Sequence, residues 1–358
     1  MTRVALLLEQ CLAPVPGGTG RYSRELALAL QRTAPEGSTV TGFTAWHRDR
    51  LTLQDVLVRR LALPRRPLVA AWERGVGPSV PGEVVHAPTP LHPRSDRLVV
   101  TVHDAVPYTH PETLTPRGVA WHRAMIERAA RIARLVVVDT QAVADELARF
   151  VELPEVLVAS PGVTSDLTLP TDAEQRAQRL GLPERYLLTV STLEPRKGLA
   201  ELITALREVP GIPLLCVGQP GWGGVSVQAL AAEAGVEVRV LGRVPDADLA
   251  VLMHHATALV VPSHSEGFGL PLLEGMAAGT PVLTSNAAAL VEVGAGAALA
   301  VPLVDLVDGL RQITSDEALR ARLSRAGPVR ASAFTGDGAA ASLWRAYRDL
   351  PERGRRQA

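Results

Sequence analysis

Two basic side chains stand next to each other at Arg196 and Lys197 in the stretch EPRKG, and Lys197 is the only lysine in the 358-residue sequence. They follow the apolar run YLLTVS and precede the helical pattern GLAELITALREV, which places them at a strand-to-helix junction. Backbone amides at a helix start attract anions, whereas cations there oppose the helix dipole. The pair therefore predicts a diphosphate site, and the alternative is a solvated turn.

Two glutamates lie eight residues apart, at Glu266 and Glu274, in the stretch SHSEGFGLPLLEGMAAGTPVLTS after the apolar run ALVVPS. A helix is predicted to begin near Pro271. Because glycine has no Cβ, backbone amides in a glycine-containing turn can approach ligand oxygens. The turn before the helix consists of Gly267, Phe268, Gly269 and Leu270. The two carboxylates could bind sugar and ribose hydroxyls, or act as acid and base, although their spacing alone is a weak signal.

The first half of the chain offers a glycine-rich stretch, PGGTGRYSREL, after its first apolar run. A dinucleotide fingerprint needs glycine where Ser23 stands, so this stretch does not predict an NAD site. Gly18 and Gly20 are predicted to let the backbone approach a phosphate or a sugar. A tight turn between strand and helix is the alternative.

A histidine, His103, ends the buried run LVVTVHD and is followed by Asp104. The carboxyl end of such a strand is where ligands bind in open α/β sheets, so His103 is expected to point into a cleft. Asp104 lies on the opposite side of the strand and need not contact it. No Cys/His spacing predicts a zinc site, and no Ser-centred elbow of the G-x-S-x-G kind occurs.

These candidates are placed by short apolar runs that alternate with helical patterns, which is typical of open α/β sheets with parallel strands buried on both faces. The runs are RVALLL, EVVHA, LVVTVHD, LVVVDT, YLLTVS, PLLCVG, EVRVLG, ALVVPS and PVLTS. We expect two Rossmann-like domains that face a central cleft. Their predicted ranges are 1–165 for an acceptor-binding domain, 166–178 for a linker and 179–334 for a nucleotide-sugar-binding domain, with 335–358 returning to the first domain.

Composition excludes several classes of protein. The 37 basic residues balance 37 acidic ones, so no overall field attracts nucleic acid. Cys11 and Cys216 lie in or beside apolar runs and are expected to be reduced, which favours a cytoplasmic protein. The N-terminal stretch has too few consecutive apolar residues for the core of a signal peptide. The weakly polar stretch 287–304 contains Glu292, two glycines and Pro302, so it is not expected to form a membrane-spanning helix.

The stretches GGTGRY, the HD after a strand, EPRK and SEGFGLPLLEGMAAGTPV together resemble the retaining family-4 glycosyltransferases (group 1) of the GT-B fold, over about residues 4 to 350. The resemblance implies that Arg196 and Lys197 hold the diphosphate of a nucleotide-sugar donor. It assigns the ribose hydroxyls to Glu274, and the donor sugar to Glu266 with the amides of 267–270. The resemblance also implies that the backbone near Val244 faces the base and that His103 faces the donor sugar. Residues Gly18 to Gly20 would approach the phosphates or the acceptor. A final helix with Trp344 and Tyr347 would cross back onto the first domain.

The activity that the resemblance implies is transfer of a hexosyl unit, with mannose or a related sugar favoured, from a nucleoside-diphosphate sugar to a hydroxyl. The acceptor would be a glycan, a lipid-linked glycan or a small molecule, in polysaccharide biosynthesis. Retention of configuration is implied, with no metal or other cofactor, and the catalytic group comprises His103, Glu266, Arg196 and Lys197. A nucleotide-sugar epimerase of the same architecture is the alternative. A non-enzymatic sugar-binding protein would give no reason for Arg196 beside Lys197.

A basic segment in the first half raises a separate possibility. Between Asp49 and Gly82 the sequence carries four arginines among apolar residues, namely Arg59, Arg60, Arg65 and Arg66. Such a cluster could rest on anionic lipid headgroups, giving peripheral contact with the inner face of the membrane. The alternative is a solvated basic loop or helix.

Three positions depart from the family pattern. Ser191 stands where glycine is common, Gly198 where asparagine is common, and Thr140 where serine is frequent. None of them removes a charged group, so the expected differences concern the local shape of the donor pocket.

Overall fold

A computed structural model describes residues 1–163 and 167–351, which form two compact units. The first unit comprises Met1–Thr109, Pro116–Gly162 and the described residues from Thr335 onward. The second unit comprises His110–Thr115 and Val163–Phe334. Each unit is built on one parallel sheet, with seven strands in the first and six in the second.

The sheet of the first unit has the strand order β3-β2-β1-β4-β5-β6-β7, and all its pairings are parallel. Its strands are β1 (Arg3–Leu7), β2 (Thr39–Trp46), β3 (Leu57–Pro64), β4 (Val84–Ala87), β5 (Leu98–Thr101), β6 (Leu135–Val138) and β7 (Glu155–Val158). Its helices before the linker are α1 (Gly17–Arg32), α2 (Arg65–Glu73), α3 (Val106–Thr109), α4 (Pro116–Ile132) and α5 (Gln141–Ala148). Helices α2, α4 and α5 cover one face of the sheet, and α1 covers the other.

The sheet of the second unit has the order β10-β9-β8-β11-β12-β13. Its strands are β8 (Leu187–Val190), β9 (Leu214–Val217), β10 (Val238–Gly242), β11 (Ala258–Val261), β12 (Val282–Ser285) and β13 (Leu299–Val301). Its helices are α6 (Ala173–Leu180), α7 (Leu199–Leu206), α8 (Val227–Ala234), α9 (Asp246–His255), α10 (Leu270–Ala277), α11 (Ala288–Gly294), α12 (Leu306–Ser315) and α13 (Glu317–Ala331). Helices α7, α8 and α12 pack on one face, and α9, α10 and α11 on the other.

Both sheets follow the Rossmann order, in which the chain starts in the middle, runs to one edge and then returns to fill the other half. The order reverses between β1 and β4 in the first unit, and between β8 and β11 in the second. At such a switch point the loops that leave neighbouring strands turn to opposite faces and open a crevice for ligands. The predicted fold class of two Rossmann-like sheets is confirmed.

The last helix, α14 (Gly336–Asp349), belongs to the first unit and packs on α1. The indole Nε1 of Trp344 donates a hydrogen bond of 3.0 Å to the Leu30 carbonyl. The Tyr347 hydroxyl lies 2.5 Å from Nδ1 of His86, a fully buried side chain of β4. The prediction that the final helix returns to the first domain is confirmed.

Each apolar run predicted as a strand coincides with one, but β2, β3, β7 and β13 were not predicted. Three of these, β3, β7 and β13, are edge strands. Strand β3 is interrupted by Arg59 and Arg60, whereas the short apolar runs of β7 and β13 do not by themselves distinguish a strand from a helical segment. Strand β2 is interrupted by Thr and Gly. The segment 49–82, expected as a basic loop or helix, contains the edge strand β3 and helix α2.

The predicted linker, 166–178, differs from the structure. Residues 164–166 lie outside the described residues, and α6 begins at Ala173, inside the expected linker. The reason is an ion pair that fixes α6 on α9, since Arg176 Nη1 lies 2.6 Å from the Asp248 carboxylate. The second unit also includes His110–Thr115, within the range expected for the first domain, because Trp222 Nε1 donates to the Thr113 carbonyl at 2.7 Å.

Candidate active site

The paired cations sit in a single 3₁₀ turn, Pro195–Lys197, between β8 and α7. Both side chains are largely buried, with 13% of Arg196 and 12% of Lys197 exposed. Lys197 Nζ lies 2.6 Å from Glu266 Oε1, and Arg196 Nη1 lies 3.1 Å from Glu266 Oε2. Glu266 follows β11, so these three side chains meet across the switch point between β8 and β11.

Two further polar groups complete this cluster. The Ser263 hydroxyl donates to Glu266 Oε1 at 2.7 Å, and Arg196 Nη2 donates to Glu194 Oε1 at 3.0 Å. The buried groups therefore comprise two cations and two carboxylates, so their charges balance. This balance explains how Arg196 and Lys197 are held at a helix start that disfavours positive charge.

The carboxyl group of Glu266 is ionised over the whole neutral range. Burial acts to raise its pKa, but the charges of Lys197 and Arg196 and the hydrogen bonds from Lys197 and Ser263 together lower the pKa to about 2. Glu266 was predicted to bind the donor sugar. Both its oxygens contact protein groups in this structure, so the sugar contact stays a prediction.

The turn after Glu266 offers its backbone rather than its side chains. Phe268 is 4% exposed and packs edge-on against Phe334, with ring centroids 5.4 Å apart. Gly269 has φ +89°, and a Cβ there would lie 2.4 Å from Leu290 Cδ2, so the position requires glycine. Leu270 begins α10, four residues after Glu266, which belongs to the ion-pair cluster formed by Glu194, Arg196, Lys197, Ser263 and Glu266.

Two other predicted donor residues lie in the second unit. Glu274 is on α10 and is 4% exposed. Val244 follows β10 and is partly buried against the core that α9 and α10 share. Both follow or lie near the carboxyl ends of strands, and their contacts to ribose and base remain predictions.

Two of the three departures from the family pattern, Gly198 and Thr140, have local explanations. At Gly198, φ is +65° and a Cβ would lie 1.9 Å from the Pro262 carbonyl oxygen, so a side chain such as asparagine does not fit. A Cβ on Gly218 would lie 1.7 Å from the Ser191 carbonyl oxygen, and the Ser191 hydroxyl is buried without a hydrogen-bond partner in the described part of the chain, so nothing in the structure explains serine at position 191. Thr140 caps α5 by accepting from the Val143 amide, as serine would.

In the first unit, His103 follows β5 and has an acceptor at each ring nitrogen. Nδ1 lies 2.7 Å from the Asp139 carboxylate, and Nε2 lies 3.0 Å from the Pro88 carbonyl oxygen. A carbonyl oxygen cannot donate, so Nε2 must carry a proton, and the carboxylate favours a second proton on Nδ1. The geometry therefore holds His103 as an imidazolium. The ring of Tyr22 packs edge-on at a centroid distance of 4.7 Å.

The electrostatics of His103 agree with this assignment. Burial acts to lower its pKa, but the charge of Asp139, the hydrogen bonds to Asp139 and Pro88, and the charge of Asp104 raise the pKa above its ordinary value. Asp104 itself accepts from the Val106 amide at 3.1 Å and starts α3. An imidazolium of this kind supplies positive charge, while its two N–H groups are engaged by Asp139 and Pro88.

The charge on His103 predicts a pH-dependent contribution to stability. Because its pKa is raised, the contribution is fully present below pH 6.5 and is lost as pH rises through the higher folded-state pKa. We expect the difference in free energy of unfolding between the parent protein and His103→Gln to be larger at pH 6 than at pH 9, measured with urea. Equal differences at both pH values would contradict the imidazolium assignment.

The predicted glycine loop is part of a helix, which corrects one expectation. Helix α1 begins at Gly17, so Gly18 and Gly20 lie in its first turn. A Cβ on Gly20 would lie 2.5 Å from Pro16 Cβ and 3.2 Å from the Gln10 carbonyl oxygen. Glycine at this position is thus explained by close packing. Gly18 is exposed at the helix start, and a ligand contact there stays a prediction.

Three residues of these clusters were not singled out from the sequence. Asp139 follows β6 as His103 follows β5, so the rule that found His103 could also have found Asp139. Glu194 lies within the EPRKG stretch itself. Ser263 follows β11. Among residues 1–163 and 167–351, no group of three or more His, Cys, Asp or Glu side chains could hold a metal ion, and no helix is long and apolar enough to span a bilayer.

The basic residues of the segment 49–82 are only partly available to a partner. Arg60 donates to the His47 carbonyl at 2.7 Å, and Arg65 lies 3.4 Å from the Glu9 carboxylate. Arg59 and Arg66 are exposed.

Comparison with known proteins identifies the family. Residues 171–330 match the model of the glycosyl transferases group 1. The O-antigen chain mannosyltransferase B of Escherichia coli is 30% identical over 288 residues, which cover 75% of this chain and 74% of that protein. The chain belongs to the group 1 glycosyltransferases. The matched range of the family model is the second unit, with its ion-pair cluster.

A further relative and a solved structure extend the comparison. A D-inositol 3-phosphate glycosyltransferase of Segniliparus rotundus is 32% identical over 241 residues, and the match covers 60% of this chain but 51% of that protein. The structure of Alr3699/HepE from Anabaena in complex with UDP and glucose has a TM-score of 0.74 and 19% identity, covering 98% of this chain and 100% of that one. At this identity the likeness establishes the shared GT-B fold.

Proposed function

We propose that this glycosyltransferase moves a hexosyl unit, mannose in the first instance, from a nucleoside-diphosphate sugar to a hydroxyl of a glycan acceptor, with retention of configuration. The observation that carries the proposal is the meeting of Arg196 and Lys197 with Glu266 at the switch point between β8 and β11. The mannose preference and a role in polysaccharide biosynthesis are supported by the similarity to an O-antigen chain mannosyltransferase.

The cations would act on the leaving group. As the glycosidic bond to the donor breaks, negative charge grows on the diphosphate, and fixed positive groups in a buried site stabilise that charge. Arg196 can bind two oxygens with its planar fork, while Lys197 supplies a compact charge. Glu266 and Glu194 hold both side chains in place before the donor arrives.

The acceptor hydroxyl would attack from the face that the diphosphate leaves, through an oxocarbenium-like transition state. His103 is held as an imidazolium and so does not take the acceptor proton. The departing phosphate oxygen is then the base that receives it. Both N–H groups of His103 are already engaged by Asp139 and Pro88, so His103 would act on the donor sugar through its positive charge.

The proposal includes no metal or other cofactor, because Arg196 and Lys197 supply the positive charge that a divalent cation would otherwise bring to the diphosphate. Peripheral contact with the inner face of a membrane remains a separate possibility, and it would depend on the exposed side chains Arg59 and Arg66.

The test is an NMR assay with GDP-mannose, UDP-glucose, UDP-N-acetylglucosamine and dTDP-rhamnose, each with and without methyl α-mannoside or short manno-oligosaccharides. We expect one nucleoside diphosphate to be released only when an acceptor is present, with a product that keeps the donor's anomeric configuration. An inverted product would refute retention. Conversion of the donor sugar without any acceptor would favour the nucleotide-sugar epimerase instead.

A further inference from the structure

A polar cluster occupies the carboxyl ends of three adjacent strands in the first unit, away from His103. Glu9 follows β1, His47 follows β2 and Arg65 follows β3. The Glu9 carboxylate accepts from the Ala45 amide at 2.7 Å and lies 2.9 Å from His47 Nε2 and 3.4 Å from Arg65 Nε. The carboxylate is only 11% exposed, so its position is fixed by these contacts.

An exposed tryptophan stands beside this cluster. Trp46 is the last residue of β2 and is 50% exposed. The register between β2 and β3 shifts between Thr44 and Trp46, and such irregularities turn a side chain out of its regular position. The guanidinium of Arg60 lies over the indole, 5.7 Å from the ring centroid, and also donates to the His47 carbonyl. Arg60 therefore contacts both the exposed indole and the segment that follows β2.

A single exposed aromatic ring is common on protein surfaces, but the polar groups beside Trp46 give it the surroundings of a binding site. Pyranose rings have one face of C–H groups, which packs on an aromatic ring, and a rim of hydroxyls. Carboxylate, imidazole and guanidinium groups bind such hydroxyls by donating and accepting hydrogen bonds. An apolar surface with a few fixed polar groups is the usual composition of a small-molecule site.

We propose that Trp46, with Glu9, His47 and Arg65, forms a distal acceptor subsite that binds a pyranose residue of an oligosaccharide. The proposal rests on the proposed glycosyl transfer. Strand β2 lies three strand spacings from β5, the strand that carries His103. At about 4.8 Å per spacing this is about 14 Å, further than one sugar ring reaches. The acceptor is then an extended glycan rather than a monosaccharide.

The basic segment 49–82 could instead bind lipid headgroups, but the contacts of its arginines favour the saccharide. Two of its four arginines, Arg60 and Arg65, are engaged with the indole, a backbone carbonyl and the Glu9 carboxylate. The Glu9 carboxylate partly neutralises Arg65, and the two contacts of Arg60 restrict its position. Electrostatic attachment to lipid headgroups needs several free cations and no fixed geometry.

The first experiment compares manno-oligosaccharides of one to four residues as acceptors. We expect kcat/KM to rise with length in the parent protein. In Trp46→Ala, the ratio of kcat/KM for the tetrasaccharide to that for the monosaccharide should fall about three- to tenfold, the usual size of an aromatic contact. Trp46→Phe should recover most of the ratio, and Leu57→Ala, at an exposed residue on the other end of the neighbouring strand, should leave it unchanged.

The second experiment needs no activity. Saturation-transfer NMR with the tetrasaccharide alone should show contact with the parent protein and a weaker signal with Trp46→Ala. Binding that depends on Trp46 without any glycosyl transfer would support the subsite and refute the proposed function. If glycosyl transfer occurs and kcat/KM depends on acceptor length in the same way in the parent protein and in Trp46→Ala, the subsite is overturned and the proposed function stands. Binding of anionic vesicles, but of no oligosaccharide, through Trp46 would assign the surface to a membrane and also overturn the proposal.

Discussion

Replacing Lys197 with alanine is expected to lower kcat about 100- to 1,000-fold, the usual cost of one electrostatic stabiliser of a leaving group. The substitution removes the ammonium at 2.6 Å from Glu266 Oε1. Glu266 keeps Arg196 and Ser263 as partners, so the loss should concern chemistry more than folding. Calorimetry with GDP, UDP, ADP and dTDP should show that one diphosphate binds the parent protein and loses most of its affinity in this variant.

Two variants control this result. Lys197→Arg restores the charge with a different shape and should recover part of the rate, because a guanidinium does not replace a compact ammonium. Arg207→Ala removes an exposed cation just after α7 and should have no effect. If turnover in Lys197→Ala stays within a few-fold of the parent, the leaving-group role of the lysine is wrong.

Replacing Glu266 with alanine is expected to be the most destabilising change at the site, by about 3–5 kcal/mol in the free energy of unfolding. The substitution removes the carboxylate that neutralises Lys197 and one of the two carboxylates that pair with Arg196. Both cations are largely buried, since the Lys197 side chain is 12% exposed and that of Arg196 is 13% exposed. Urea unfolding of the parent and the variant at pH 7 measures the difference. Glu266→Gln should lose less, because the amide oxygen still accepts a hydrogen bond.

The difference in free energy of unfolding between the parent protein and Glu266→Ala should become smaller at low pH. The pKa of Glu266 is depressed from 4.5 to about 2, so its contribution is fully present above pH 4.5 and is lost as pH falls through about 2. Glu201→Ala is a matched control, since Glu201 pairs with His264 at 2.8 Å but is 39% exposed, and it should cost less than about 1 kcal/mol. A cost for Glu266→Ala no larger than for Glu201→Ala would show that the buried ion pairs contribute little.

The sequence predicted the parts of the fold and site that depend on local patterns. Strands buried on both faces give continuous apolar runs, and the residues after them, such as Arg196, Glu266 and His103, could be found by position alone. The edge strand β3 was missed because Arg59 and Arg60 interrupt its apolar pattern, and β7 and β13 because a short apolar run alone does not distinguish a strand from a helical segment.

The contacts between site residues could not be predicted from the sequence, for a different reason. Lys197 and Glu266 are 69 residues apart, and His103 and Asp139 are 36 apart, so no spacing rule joins them. Strand order brings them together, and strand order is set by packing of the whole sheet. The role of Gly20 could not be predicted either, because its close contacts with Pro16 and the Gln10 carbonyl form only when α1 packs against the preceding loop.

The position of α14 has a consequence for synthesis on the ribosome. The first unit needs this helix to close one of its two cores, where Leu343, Trp344 and Tyr347 are buried. The residues Val163–Phe334, which form most of the second unit, must be translated before it. At 5–20 residues per second this delay is about 10 to 35 s. The second unit therefore can fold before the first is complete, and nascent chains halted before Thr335 expose an apolar face that chaperones would bind.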